Sequence, residues 1–134
     1  MSNDTVFGFT KIIVDDLDRS AAFYCQALGF RELQRVQARV AGERMEEIIL
    51  VHGKKFGEGV PLIVWKWMER PAPVASDSIL GFQTGDVDGL LARVVAAGGS
   101  LVEFAQDQPK HGVRVAFAKD PDGRLLELVQ MLAS

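Results

Sequence analysis

Val14-Asp15-Asp16-Leu17-Asp18 follows an apolar stretch and opens a helical pattern that closes at Leu28-Gly29. The arrangement returns at Thr84-Gly85-Asp86-Val87-Asp88, and that second pattern closes at Gly98-Gly99. From Asp16 to Gly29 and from Asp86 to Gly99 the offset is thirteen residues in each case. A repeat about seventy residues apart that occurs only twice is no solenoid; it reads as a duplicated half-domain. Two such copies are expected to face each other across a pseudo-twofold axis and to enclose a space. What lines that space decides the function.

Working outward, residues 7–14 are rich in β-branched and aromatic types and read as a strand. Asp16 is an N-cap, its carboxylate placed for the free N–H groups of the first turn. Leu17, Ala21, Tyr24 and Leu28 recur at helical spacing, and Gly29 supplies the left-handed stop. Strands are expected at 30–38, 44–51 and 60–67, with a polar glycine loop at 53–59. Residues 68–77 hold two prolines and no apolar periodicity, the signature of a linker. The second half repeats the order: a strand at 79–84, a helix capped by Asp86, then strands at 101–105, 113–118 and 125–131. Asp120-Pro121-Asp122-Gly123 is a turn joining the last two as a hairpin. The expectation is an α+β fold of two βαβββ modules, one at 5–67 and the other at 78–134, forming a single domain over 1–134. One helix covers only one face of each sheet, so the helices lie outside and curved mixed sheets surround a cavity.

Composition excludes more than it names. Apolar residues at 48% and charged residues at 25% belong to a soluble globular chain. A net charge of −3 offers no electrostatic footprint for nucleic acid or an anionic membrane. Apolar runs such as residues 48–51 are far too short to span a bilayer, and the N-terminus lacks a signal-peptide pattern. Cys25 is the only cysteine, which precludes an internal disulfide and points to a reducing cytoplasm.

The pattern of residues 13–30 resembles the opening unit of the vicinal oxygen chelate superfamily, which includes glyoxalase I, bleomycin-resistance proteins, fosfomycin-resistance enzymes and extradiol dioxygenases. Phe82-Gln83-Thr84-Gly85-Asp86-Val87-Asp88 and Asp120-Pro121-Asp122-Gly123-Arg124-Leu125-Leu126-Glu127-Leu128 are similar to its second unit. The resemblance covers nearly the whole chain. It implies the fold more sharply than an activity, because this fold carries isomerases, lyases, transferases, dioxygenases and non-catalytic drug binders.

The resemblance also implies four strand positions for metal ligands. The first lies seven residues before the capping Asp and is Phe9; its counterpart in the second half is Ile79. The acid four residues after the turn glycine is retained as Glu127. Laying residues 125–129 over 62–66 puts Val64 at the remaining position, with Ile63 and Trp65 one step away. Carbon side chains offer a divalent ion nothing, so no metal and no cofactor are expected, and the pattern lies nearest the metal-free bleomycin-resistance branch.

Alternation along strands assigns the lining. Phe9, Lys11 and Ile13 share one face; Ile79, Gly81 and Gln83 share another; Glu127, Val129 and Met131 a third. Glu127 reads either as a carboxylate paired with Lys11, an arginine or water, or as a ligand acceptor or proton-transfer base. Of Glu46 and Glu47 one must face the cavity, and the open rim is its expected place because unpaired buried acids are rare. With Val64 inward, Trp65 and Trp67 pack under the helix or at a subunit boundary; a one-residue slip makes them an aromatic wall. His111 is a candidate lid contact, His52 a solvated strand end, and Cys25 an inert packed thiol.

Two functions compete. One is a metal-free binder of a medium-sized, mostly apolar molecule, with Glu46, Glu47, Glu58 and Glu127 favouring a cation. The other is a lyase, isomerase or dioxygenase-like enzyme using an unforeseen metal site or acid–base catalysis by Glu127 or Glu47. Glyoxalase I itself needs a cationic residue four after the first ligand, and that position is Ile13. By the same resemblance the chain is expected to form a homodimer.

Overall fold

The structure is a computed structural model that describes residues 3–75 and 78–133; Ser76 and Asp77 of the expected linker, and the last residue of the second module, lie outside them. Among the described residues two α-helices and eight strands follow one another as βαβββ twice. Contacts group the chain into two compact units, residues 1–21 with 30–72 and residues 22–29 with 73–134. None of the described helices is long and apolar enough to cross a membrane.

The first unit holds a four-stranded mixed sheet of β1 (Thr10–Ile13), β2 (Arg31–Val40), β3 (Glu43–Val51) and β4 (Leu62–Trp67), in the order β1-β4-β3-β2. β1 runs parallel to β4 and the other pairings are antiparallel. Ile12, Val14, Leu62, Val64, Ile48 and Leu50 share one face and are all buried, and on the opposite face Met45, Ile63 and Trp65 are buried as well. β1 is shorter than expected. Its ladder begins at Thr10 opposite Leu62, because Pro61 has no N–H to extend it. β2 is an edge strand carrying Arg31, Glu32, Arg35 and Arg39, charges that discourage edge-to-edge pairing.

The second unit repeats the plan with β5 (Ile79–Gln83), β6 (Ser100–Gln108), β7 (Val113–Lys119) and β8 (Leu125–Met131), in the order β5-β8-β7-β6. β6 runs past its expected end at 105, and register shifts on both sides of Glu103 absorb the extra residues as bulges. Helix α2 (Val87–Ala96) packs on β6, β7 and β8. Ala116 and Ala118, fully buried, leave room for it, while Val87, Leu90, Leu91 and Val94 form its buried stripe.

Both helices start in the same way. The Arg19 N–H donates to Asp16 Oδ1 at 3.0 Å ahead of α1 (Leu17–Leu28), and the Gly89 N–H donates to Asp86 Oδ1 at 3.0 Å ahead of α2. They stop differently. α1 turns at Gly29 with φ +74°, whereas α2 turns at Gly98 with φ +110°, one residue short of the thirteen-residue offset. Gly99 then lies so close to its surroundings that a Cβ there would sit 2.5 Å from the Lys119 carbonyl oxygen.

A buried polar cluster anchors the last turn. Tyr24, on the part of α1 grouped with the second unit, donates its hydroxyl to Asp120 Oδ2 at 2.6 Å. Arg124 Nη1 donates to the same oxygen at 2.8 Å, and the Asp122 and Arg124 N–H groups donate to Asp120 Oδ1, each at 2.9 Å. Burial, then the adjacent Asp120 carboxylate, pushes the Tyr24 phenol well above its ordinary value. The Asp-Pro-Asp-Gly turn is therefore held by side chains as well as by the positive φ of Gly123.

Candidate functional site

In the first unit, register decides which side chains share the face away from Val64. Directly paired residues point the same way, so Ile13, Trp65, Glu47 and Val36 form one row across β1, β4, β3 and β2. Lys11 lies opposite Ile63 in the next row. The expected placement of Val64 is thereby corrected. Val64 pairs with Ile12 and Ile48 on the buried face, and the fourth-strand position matching Glu127 is Ile63. Strand offset, which local sequence does not encode, made the difference. Trp65 and Trp67 accordingly stand on the Lys11 face, their rings 5.0 Å apart edge to face.

Lys11 and Glu47 meet on this face, Nζ to Oε1 at 2.9 Å. Glu47 is 7% exposed, which corrects the expectation that it would stand in water at the rim. The ammonium compensates the buried carboxylate, while the lysine side chain itself stays 33% exposed. Lys11 Nζ also lies 4.3 Å from the Trp65 ring centroid, a cation–π contact that fixes its direction. The Trp65 indole N–H is buried and has no acceptor among the described residues. Phe9, just before β1 and 43% exposed, meets Phe56 of the 53–59 loop edge to face at 5.8 Å. Arg70 covers Trp67 at 4.4 Å and pairs with Glu43.

In the second unit the face away from α2 carries Gly81 opposite Glu127, and Gln83 opposite Val129. Glu127 and Val129 are half-buried, Gln83 is exposed, and Ile79 is 61% exposed. A shallow hollow of about 480 Å³ is lined by Gln83, Thr84, Gly85, Gln130 and Met131. His111 lies exposed in a 3₁₀ turn, Pro109–His111, ahead of β7.

The structure thus brings together Lys11, Ile13, Glu47 and Trp65 in one unit, and Gln83, Glu127 and Val129 in the other. Sequence reading missed Phe117, which pairs with Glu127, and Glu103, which pairs with Phe117. Phe117 was within reach. Counting outward from the Asp120 turn with the hairpin pairing of Lys119 and Leu125 leads to it directly.

The positions at which the resemblance implies metal ligands hold Phe9, Ile63, Ile79 and Glu127. Three carbon side chains and one carboxylate do not make a donor set for a divalent ion.

Two βαβββ units with strand order 1-4-3-2 define a glyoxalase-type α+β fold. The chain belongs to the Glyoxalase/Bleomycin resistance protein/Dioxygenase superfamily, whose family model matches residues 6–128. It is 29% identical over 133 residues to a probable lactoylglutathione lyase of Vibrio cholerae, covering 97% of this chain and 93% of that protein. It is 30% identical over 123 residues to a probable lactoylglutathione lyase of Synechocystis, covering 90% and 92%. Against the lactoylglutathione lyase of Arabidopsis thaliana the identity is 27% over 118 residues, 87% of this chain, and the match spans only 41% of the plant protein's length. Among solved structures, a glyoxalase family protein from Bacillus cereus superposes with a TM-score of 0.79 at 17% identity over 99% of both chains. The Leishmania major glyoxalase I superposes with a TM-score of 0.75 at 24% identity, over 95% of this chain and 87% of that one.

Proposed function

We propose that this protein binds a medium-sized, mostly apolar small molecule without the metal centre of its catalytic relatives. The observation that carries the reading is the side chains at the four implied ligand positions, Phe9, Ile63, Ile79 and Glu127. An aliphatic and aromatic lining with a few polar groups holds ligands by shape and orients them by hydrogen bonds. Lys11, paired with Glu47 and one-third exposed, is the polar group of the first unit's face with donors left to give. Trp65 supports the same reading. Its ring holds the Lys11 ammonium at 4.3 Å by a cation–π contact, which keeps that donor group in place on the face. Ile13, Gln83, Val129 and His111 belong to the proposed contacts, and a cytoplasmic homodimer is the proposed working form.

A second reading is favoured by relatives named probable lactoylglutathione lyase that match almost end to end. In it Glu127 or Glu47 moves a proton on a bound substrate without a metal.

Elemental analysis of the purified protein, followed by titration with nickel, zinc, manganese and iron, separates the two readings. The binder gains no stoichiometric metal and gives no turnover of a glutathione hemithioacetal. Saturable metal uptake with chelator-sensitive turnover refutes it, and metal-independent turnover that is abolished in Glu127→Gln or Glu47→Gln establishes the second reading.

A further inference from the structure

One row of the second sheet assembles the parts of a cation site. Gly81 on β5 pairs with Glu127 on β8, Glu127 pairs with Phe117 on β7, and Phe117 pairs with Glu103 on β6. Paired residues project to the same side, so the Glu127 carboxylate and the Phe117 ring stand as neighbours, roughly 4.5–5.5 Å apart at Cβ, with the second carboxylate, Glu103, beyond them on the bulged edge strand. Beside Glu127 the row is open: a Cβ built on Gly81 meets nothing within 4 Å.

The other acids that drew attention in the sequence are already engaged. Glu47 is paired with Lys11, Glu46 accepts from the Gln37 amide at 2.8 Å, and Glu58 accepts from the Lys54 N–H at 2.9 Å. Glu127 and Glu103 have no hydrogen bond or ion pair among the described residues. Glu127 is half-buried, where a carboxylate keeps more of its attraction for a cation than it does in open water. Phe117, also half-buried, presents a ring whose face attracts cations.

We propose that Glu127, Phe117 and Glu103, with the gap at Gly81, form a subsite for the ammonium group of an organic amine whose apolar body lies along Ile79 and Val129. This deepens the metal-free binding reading and rests on it: the carboxylate kept from the catalytic pattern holds an organic cation in place of a metal ion. Glu127 is the main contact, Phe117 contributes by cation–π attraction, and Glu103, being exposed, contributes least.

The test compares benzylammonium with benzyl alcohol, nearly its neutral isostere, by calorimetric titration of the full-length protein at low and at high salt. Benzylammonium binds about tenfold more tightly or better, and the preference shrinks with salt. Glu127→Gln, isosteric and uncharged, abolishes the preference. Gly81→Val, whose Cβ meets nothing within 4 Å and no positive φ, does not lower the melting temperature and weakens benzylammonium severalfold. Equal affinity for the two probes, an unchanged preference in E127Q, or no saturable binding of benzylammonium overturns the assignment. With benzyl alcohol still bound, any of those results leaves the metal-free binding reading intact. Stoichiometric nickel uptake that is lost in E127Q overturns both.

Discussion

Tyr24→Phe removes one oxygen from the buried cluster at the last turn and changes nothing else in the packing. Tyr24 is fully buried and Asp120 is 3% exposed, so the 2.6 Å bond between them is screened by little water. A hydrogen bond to a charged group contributes roughly 1.5–3 kcal/mol, and Asp120 keeps Arg124 and two backbone N–H donors, so its carboxylate is not orphaned. The expected loss is therefore about 2 kcal/mol, which lowers the melting temperature by roughly 5–10 °C in a domain of this size. The pH dependence tests the physics independently. The folded phenol is raised far above its ordinary value near 10, so the folded state holds its proton where the unfolded chain releases it. Its contribution is thus fully present below about pH 10 and falls above it by roughly 1.4 kcal/mol per pH unit. The variant lacks that slope, so its deficit at pH 8 narrows by about 1.4 kcal/mol at pH 11. Urea melts at both pH values measure the gap. Because Tyr24 is the only tyrosine, absorbance at 295 nm follows its ionisation without interference. A native chain whose absorbance titrates reversibly near pH 10, or a gap that does not change between the two pH values, would falsify the reasoning.

Gly99→Ala is expected to cost about 2 kcal/mol or more in denaturant melts, because its Cβ meets backbone oxygens of Lys119 and Val94 on two elements that must part. Gly81→Ala, with open space around its Cβ, should gain about 0.4–1 kcal/mol, so an equal loss at both sites would contradict the packing described. Lys11→Met strands the buried Glu47 carboxylate; with Lys11 one-third exposed the loss is about 1–3 kcal/mol, smaller than for a fully buried pair. A double-mutant cycle with Glu47→Gln should return a coupling of about 1 kcal/mol or more, and additive losses would show that the pair contributes nothing.

What the sequence disclosed and what it withheld divide along the range of the interactions. The capping aspartates, the helical stripes and the closing glycines act within a few residues of themselves, so the duplicated βαβββ plan could be read directly. Face assignments within a strand followed as well, since alternation is local: Lys11 with Ile13, and Gly81 with Gln83, stand where period two puts them. Offsets between strands did not follow. Whether Ile63 or Val64 stands opposite Lys11 depends on which residue of β1 faces Leu62, the first residue of β4, and nothing local to β1 sets that. A slip of one residue exchanges the two faces of a strand, and here it puts two tryptophans on the side of Lys11 and Val64 on the other.

Partnerships between distant residues were hidden for the same reason. Lys11 and Glu47 are 36 residues apart and Tyr24 and Asp120 are 96 apart; nothing near either residue in sequence announces the other. The consequence for function is direct. Four glutamates counted as one acidic surface become two kinds of site once their partners are known. Glu47 is held in an ion pair with Lys11, while Glu127 stands beside an aromatic ring and an unfilled glycine position. A neutral acceptor suits the first unit's face and an organic cation suits the second. On the second unit's face an amine is expected to bind more tightly than a carboxylic acid of the same shape, and Glu127→Gln removes that order while Lys11→Met leaves it in place. Ranking such compounds by affinity therefore tests the division between the two carboxylates.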